Sequence, residues 1–193
     1  MSKLQEGDVI AYRMSQREVR SAILKGHLSK VGYSALTYGH LAILVDMQED
    51  QLLLLSSQSF KGPNTQESIL TLKDHHWDAY RLDKPDCINK MRLHEFVVEA
   101  QKKAGKWYGY DFSGMFGLWN SNLKPDSPEK IGHDYICSTV VVAALYYSGI
   151  QLDAIQRHGF LDLVSPKQVV TSKGIIIPIP EVEIDIHTQP ASP

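Results

Sequence analysis

Apolar residues come first in short runs of strand length and later at helical spacing. Asp8-Val9-Ile10-Ala11-Tyr12-Arg13, launched from the Gly7-Asp8 turn, predicts a strand. Ser15 with Glu18 three positions on forms a capping box; Val19, Ala22 and Ile23 then recur at helical spacing until Gly26, which predicts a short helix at 16–25. His40-Leu41-Ala42-Ile43-Leu44-Val45 and Leu52-Leu53-Leu54-Leu55-Ser56-Ser57-Gln58 flank the polar stretch 46–51 and read as a hairpin, although the leucine-rich run alone is also compatible with a helix. A linker holding Gly62-Pro63-Asn64 leads to a third strand of this region, Trp77 to Leu82.

From Ile88 to about Lys103, the positions Met91, Phe96, Val97, Ala100 and Ala104 fall on or near one helical face, with Gly105 as the stop. The aromatic, Gly-, Asn- and Pro-rich stretch 107–128 predicts an irregular lobe. The run from Cys137 to Gly149 is apolar nearly all round, as expected of a buried helix. Ser165-Pro166 supplies an N-cap and first turn for a short helix reaching about Ser172; 175–179 makes a last strand, and 180–193 is a loosely held tail. The order predicts one α+β domain over 1–179 with an antiparallel sheet packed against helices.

Composition narrows the function. Among 193 residues, 20 basic against 22 acidic side chains leave a net charge of −2, with no surplus to neutralise phosphates, so nucleic acid is not an expected partner. Two cysteines are too few for a disulfide framework and suit a reducing compartment, though one bridge is compatible with the sequence. The N-terminal residues lack the apolar stretch of a signal peptide and no apolar run approaches the roughly 20 residues of a membrane span, so a cytoplasmic protein is expected.

Cys137 is the most informative candidate, because it opens the long apolar helix. Unpaired amides and the positive end of a helix dipole favour a thiolate there. On position alone, a plain buried cysteine is the commoner outcome. A nucleophile needs a base, and His40 heads an apolar strand that would hold its ring still. If the hairpin pairs 44 with 54, then Ser56 and Gln58 share the face of His40 and either could orient the imidazole; a slip by one residue substitutes Ser57. Among the other histidines, His75-His76 lack Cys or Glu at ligand spacing, so no metal is expected, His133 competes for the base role, and His27, His94, His158 and His187 read as surface residues.

Taken in order, Gly7-Asp8-Val9-Ile10, Gly39-His40-Leu41-Ala42-Ile43-Leu44-Val45, Gly105-Lys106-Trp107-Tyr108-Gly109-Tyr110-Asp111, and Tyr135-Ile136-Cys137-Ser138-Thr139 resemble the circularly permuted branch of the NlpC-type papain-like superfamily. That branch includes the YiiX/YebB-like proteins and is related to the lecithin retinol acyltransferases. The likeness runs from about residue 4 to Ser172, and the histidine-before-cysteine order matches the permuted branch.

The resemblance implies a papain-like fold and a thiol hydrolase with no metal or organic cofactor. It sets Cys137 as nucleophile, His40 as base and Ser56 in the third position, where relatives often carry Glu; the shorter, uncharged serine is a departure, and Gln58 is a substitute. Tyr110, aligned with a family tyrosine, lines the cleft or donates toward an oxyanion, or else packs under the irregular lobe; Tyr135 is a further binding candidate. The implied substrates are peptide or acyl small molecules, murein-type peptides above all, handled by a bacterial or phage-borne enzyme. Lipid-ester acyl transfer and a noncatalytic binding module are the alternatives.

Overall fold

A computed structural model describes residues 3–13, 17, 20, 38–48, 51–58, 61–67, 77–104, 123–132, 135–152, 164–172 and 176–180. The chain is α+β. Among the described residues six strands form one sheet: β1 (Val9–Arg13), β2 (Tyr38–Gln48), β3 (Gln51–Gln58), β4 (Gly62–Glu67), β5 (Trp77–Leu82) and β6 (Ile176–Pro178). Their order is β4-β3-β2-β1-β5-β6, with every neighbouring pair antiparallel. Helices among the described residues include α1 (Lys90–Ala104), α2 (Cys137–Tyr147) and α3 (Pro166–Val170).

The Gly7-Asp8 turn has a steric and an electrostatic cause. Gly7 has φ +90°, a conformation strained for any residue with a side chain, and a Cβ there would lie 3.0 Å from Ile88 Cδ1, which would have to give way. Its amide donates to the Leu44 carbonyl at 2.8 Å and the Leu44 amide donates back to the Asp8 carbonyl at 2.8 Å, which starts β1 against β2.

Sheet alternation then sorts the side chains into two layers. Leu41, Ile43, Val45 and Leu55 face one way, into a core with Leu93, Phe96, Val97 and Ala100 of α1 and Val140, Val141, Ala144 and Leu145 of α2. Each Val, Leu, Ile or Phe among them, taken fully out of water, contributes about 1.5–3 kcal/mol. Ile10, Ala42, Leu44, Leu54 and Ala79 face the other way and form a smaller buried cluster with Leu4.

The hairpin holds the expected phase, with Leu44 opposite Leu54 and Ile43 opposite Leu55. Two expectations are corrected. The supposed linker at Gly62-Pro63-Asn64 is the start of β4, at the sheet edge, where proline's missing N–H costs no ladder bond on the open side. Met91 is 79% exposed; the buried stripe of α1 is Leu93, Phe96, Val97, Ala100 and Ala104, one helical face starting two residues later. Asn89 caps that helix, its Oδ1 accepting from the Arg92 amide at 3.1 Å.

α2 is buried on every side but Tyr146, as its composition predicts, and ends where the Ser148 hydroxyl donates to the Ala144 carbonyl at 2.6 Å and Gly149 takes φ +93°. α3 opens on the expected N-cap Ser165, which is part of a capping box: Ser165 accepts from the Gln168 amide while Gln168 Oε1 accepts from the Ser165 amide. Arg17 and Arg20 are helical; the rest of the helix expected at 16–25, most of the aromatic lobe with Tyr110, and the tail beyond 180 lie outside the described residues. Among the described residues no helix is long and apolar enough to cross a membrane.

Candidate active site

The chain before α2 is fastened at several points. Lys103, in the last turn of α1, donates its ammonium to the carbonyls of Pro128, Glu129 and Ile131 at 2.8, 3.1 and 2.6 Å. The Tyr135 ring is fully buried 6.0 Å from the Phe96 ring, and its hydroxyl accepts from the Gly132 amide at 2.8 Å. From β3, the Ser57 hydroxyl donates to the Tyr135 carbonyl at 2.5 Å. Thr139 Oγ1 accepts from the Ile136 amide at 2.9 Å, and Ser138 Oγ donates to the Val164 carbonyl at 2.5 Å.

Cys137 sits in the middle of these anchors as the first residue of α2, 8% exposed. The residue before it, Ile136, takes the N-cap position with an apolar side chain that has no acceptor to offer the first-turn amides. Both cysteines are free thiols; Cys87 is exposed, in the short 3-10 turn Pro85–Cys87.

His40 stands half-buried in β2, directly opposite Tyr12 of β1. The β1–β2 ladder passes from Tyr12↔His40 to Arg13↔Tyr38, leaving Gly39 as the extra residue of a bulge. Ser57 ties β3 to the start of α2, and Ser57 lies on the Leu55 side of its strand. Cys137 and His40 therefore come to the same end of the sheet. They approach it from different layers: α2 packs on the side of Leu41, Ile43 and Leu55, whereas alternation from Leu41 sets His40 on the side of Ala42 and Leu44.

Ser56 is fully buried, opposite Asn64 of β4, and shares its pleat with Leu54, hence with His40. Gln58 is half-buried opposite Gly62. The Tyr135 ring is closed within the core, and what this residue turns toward the site is its carbonyl, already taken by Ser57. Tyr110 lies outside the described residues.

Sequence reasoning missed a second polar group at this end of the sheet. Asp78 on β5 accepts two hydrogen bonds from the Arg13 guanidinium, both at 2.7 Å, and one from the Tyr38 hydroxyl at 2.5 Å. Since the Tyr38 proton is committed to the carboxylate, the contact between the Tyr38 and Tyr80 hydroxyls at 2.6 Å has Tyr80 as its donor. Burial, with Asp78 and Tyr80 behind it, holds the Tyr38 phenol far above its ordinary range, and Asp78 raises Arg13 further. The only sequence signal was strand spacing: Tyr38 and Arg13 become neighbours across the ladder once the bulge at Gly39 is counted.

No protein-family model and no curated protein sequence matches the chain. Among the described residues, no group of three or more His, Cys, Asp or Glu side chains is arranged to hold a metal ion.

Proposed function

We propose that the chain is a cysteine-dependent hydrolase of amide bonds with a permuted papain-like arrangement, acting on peptides of the cell-wall type. The observation that carries this reading is the position of Cys137 at the first turn of a buried helix whose N-cap is apolar, at the sheet end where His40 stands on a bulge. The Cys137 thiolate attacks the substrate carbonyl carbon, and the developing oxyanion is met by first-turn amides of α2. The C–N bond breaks as protonated His40 gives its proton to the leaving amine. Water then adds to the thioester, its proton passing to His40, and the acid leaves with the cysteine sulfur restored as thiolate. Ser56, on the pleat of His40, orients the imidazole.

For the sulfur and the imidazole to meet, His40 has to come round the end of β2 past Gly39, because the plain strand phase turns it to the other layer. Bulges re-aim side chains in this way and cluster near reactive sites. The same layer assignment favours one rival reading, a noncatalytic binding module whose thiol is a plain buried cysteine.

The pH dependence of alkylation separates the two. With Cys87→Ser as background, iodoacetamide labelling of Cys137 is expected to be fast below about pH 7 and to slow in His40→Ala. Labelling that rises only near about pH 8.5 and ignores His40→Ala identifies the binding module. A panel of murein peptides and short-chain esters, run beside Cys137→Ala, then tells amide hydrolysis from ester chemistry.

A further inference from the structure

The chain on both sides of Cys137 is fixed by hydroxyl hydrogen bonds, and one of those hydroxyls, Ser57 Oγ, comes from the sheet. The peptide unit joining Tyr135 to Ile136 is held at both ends: its carbonyl accepts from Ser57 Oγ at 2.5 Å, and its amide donates to Thr139 Oγ1 at 2.9 Å. Thr139 belongs to the first turn of α2, so its bond is local and ties the turn to itself. Ser57 belongs to β3, 78 residues away in sequence, and its bond ties the turn to the sheet. On the other side, Ser138 Oγ reaches the Val164 carbonyl at 2.5 Å. Ser57 and Ser138 are 1% and 0% exposed, so water does not compete for either bond.

We infer that Ser57 is a positioning residue for Cys137: by holding the Tyr135 carbonyl against the end of β3, it sets the orientation of the peptide entering α2 and hence the direction of the Cα–Cβ bond of Cys137. This inference rests on the reading of Cys137 as a nucleophile. The physical ground is leverage. The only torsions between the clamped peptide plane and the cysteine Cα are those of Ile136 and the φ of Cys137, and the Ile136 carbonyl is itself held by the Val140 amide at 3.0 Å and by Thr139 Oγ1 at 3.2 Å. Freeing the Tyr135 carbonyl loosens this run at its sheet end, and misplacement of a reacting atom by about an ångström is enough to cost about a hundredfold in rate. Ser57 is not the residue that shares a pleat with His40, which is Ser56. Its role concerns the sulfur rather than the imidazole.

The test uses the full chain carrying Cys87→Ser and compares an isosteric pair at one position. Ser57→Thr keeps the hydroxyl; Ser57→Val has the same shape without it. The readouts are the pH profile of Cys137 alkylation by iodoacetamide and the thermal midpoint. Ser57→Val is expected to lower the low-pH labelling rate by about tenfold or more and move the profile, with Ser57→Thr restoring most of both. A Ser57→Val profile within about twofold of the parent, or a loss that Ser57→Thr shares in full, overturns the inference, whatever happens to the thermal midpoint. Should Ser57→Val not fold, Ser57→Ala replaces it under the same criteria. The reading beneath the inference fails separately: a parent profile that matches Cys87 in a Cys137→Ala chain removes the nucleophile, while the Thr-against-Val difference still reports whether Ser57 aims the thiol.

Discussion

The Asp8 carboxylate, 1% exposed, accepts with its two oxygens from Nε and Nη2 of the Arg81 guanidinium at 2.9 and 2.7 Å across 73 residues of sequence. Asp8 also accepts from the Gln5 amide at 2.9 Å, and Arg81 donates onward to the Lys3 carbonyl at 2.6 Å. One ion pair thus closes the turn that launches β1 and pins it to β5. The carboxylate is what holds the Arg81 guanidinium above its ordinary range.

Removing one partner of such a pair strands the other. Asp8→Ala should cost about 2–3 kcal/mol in urea unfolding, below the range of about 3–5 kcal/mol for fully buried pairs because Arg81 is 22% exposed. Adding Arg81→Met to Asp8→Ala should recover at least half of that loss. An Asp8→Ala change under about 0.5 kcal/mol would show that the pair does not hold the turn.

Alkaline pH should weaken the fold through two phenols. Burial raises both Tyr38 and Tyr147, helped by Asp78 in one case and Glu95 in the other. In the unfolded chain a tyrosine loses its proton near about pH 10, whereas in the folded chain these two keep theirs. Stability is therefore full below about pH 10 and falls as pH rises above it, by up to about 1.4 kcal/mol per pH unit for each group. Urea midpoints at rising alkaline pH should drop more steeply for the parent than for Tyr38→Phe, which has nothing to ionise at that position. Equal slopes would count against the buried phenol.

The hairpin was legible because a two-residue period leaves few registers that keep Leu44 and Leu54 inside, and the pairing follows that phase. β4 was hidden because glycine and proline are turn signals wherever they stand, and only the strand order reveals that Pro63 is on an edge. Met91 misled because it lies in the first turn of α1, two residues before the buried stripe starts at Leu93. Cys137 at the start of α2 and His40 at the head of β2 could both be read from their own neighbours in sequence. The bonds that fix their surroundings could not: Ser57 to Tyr135, Asp78 to Tyr38 and Lys103 to the 128–131 carbonyls join segments that only folding brings together.

Lys103 and Lys102 give a controlled comparison, since both end α1 and both favour its C-terminal dipole. Lys102 is 64% exposed and pairs with Glu99 three residues back, a contact worth about 0.5 kcal/mol or less. Lys103 has all three of its protons on main-chain carbonyls, two of those bonds partly buried. Methionine in its place keeps the apolar stem and takes the ammonium donor away from the Ile131 carbonyl and from the Pro128 carbonyl, which keeps the Ile131 amide at 3.3 Å, at a cost of about 1–3 kcal/mol. Lys103→Met should therefore lower the urea midpoint clearly more than Lys102→Met, and hydrogen exchange should speed up at the amides of 130–132, just ahead of the Tyr135 clamp. Matching losses from the two substitutions would mean that the helix dipole, which both lysines serve, accounts for the effect and that the three carbonyls do not need the ammonium.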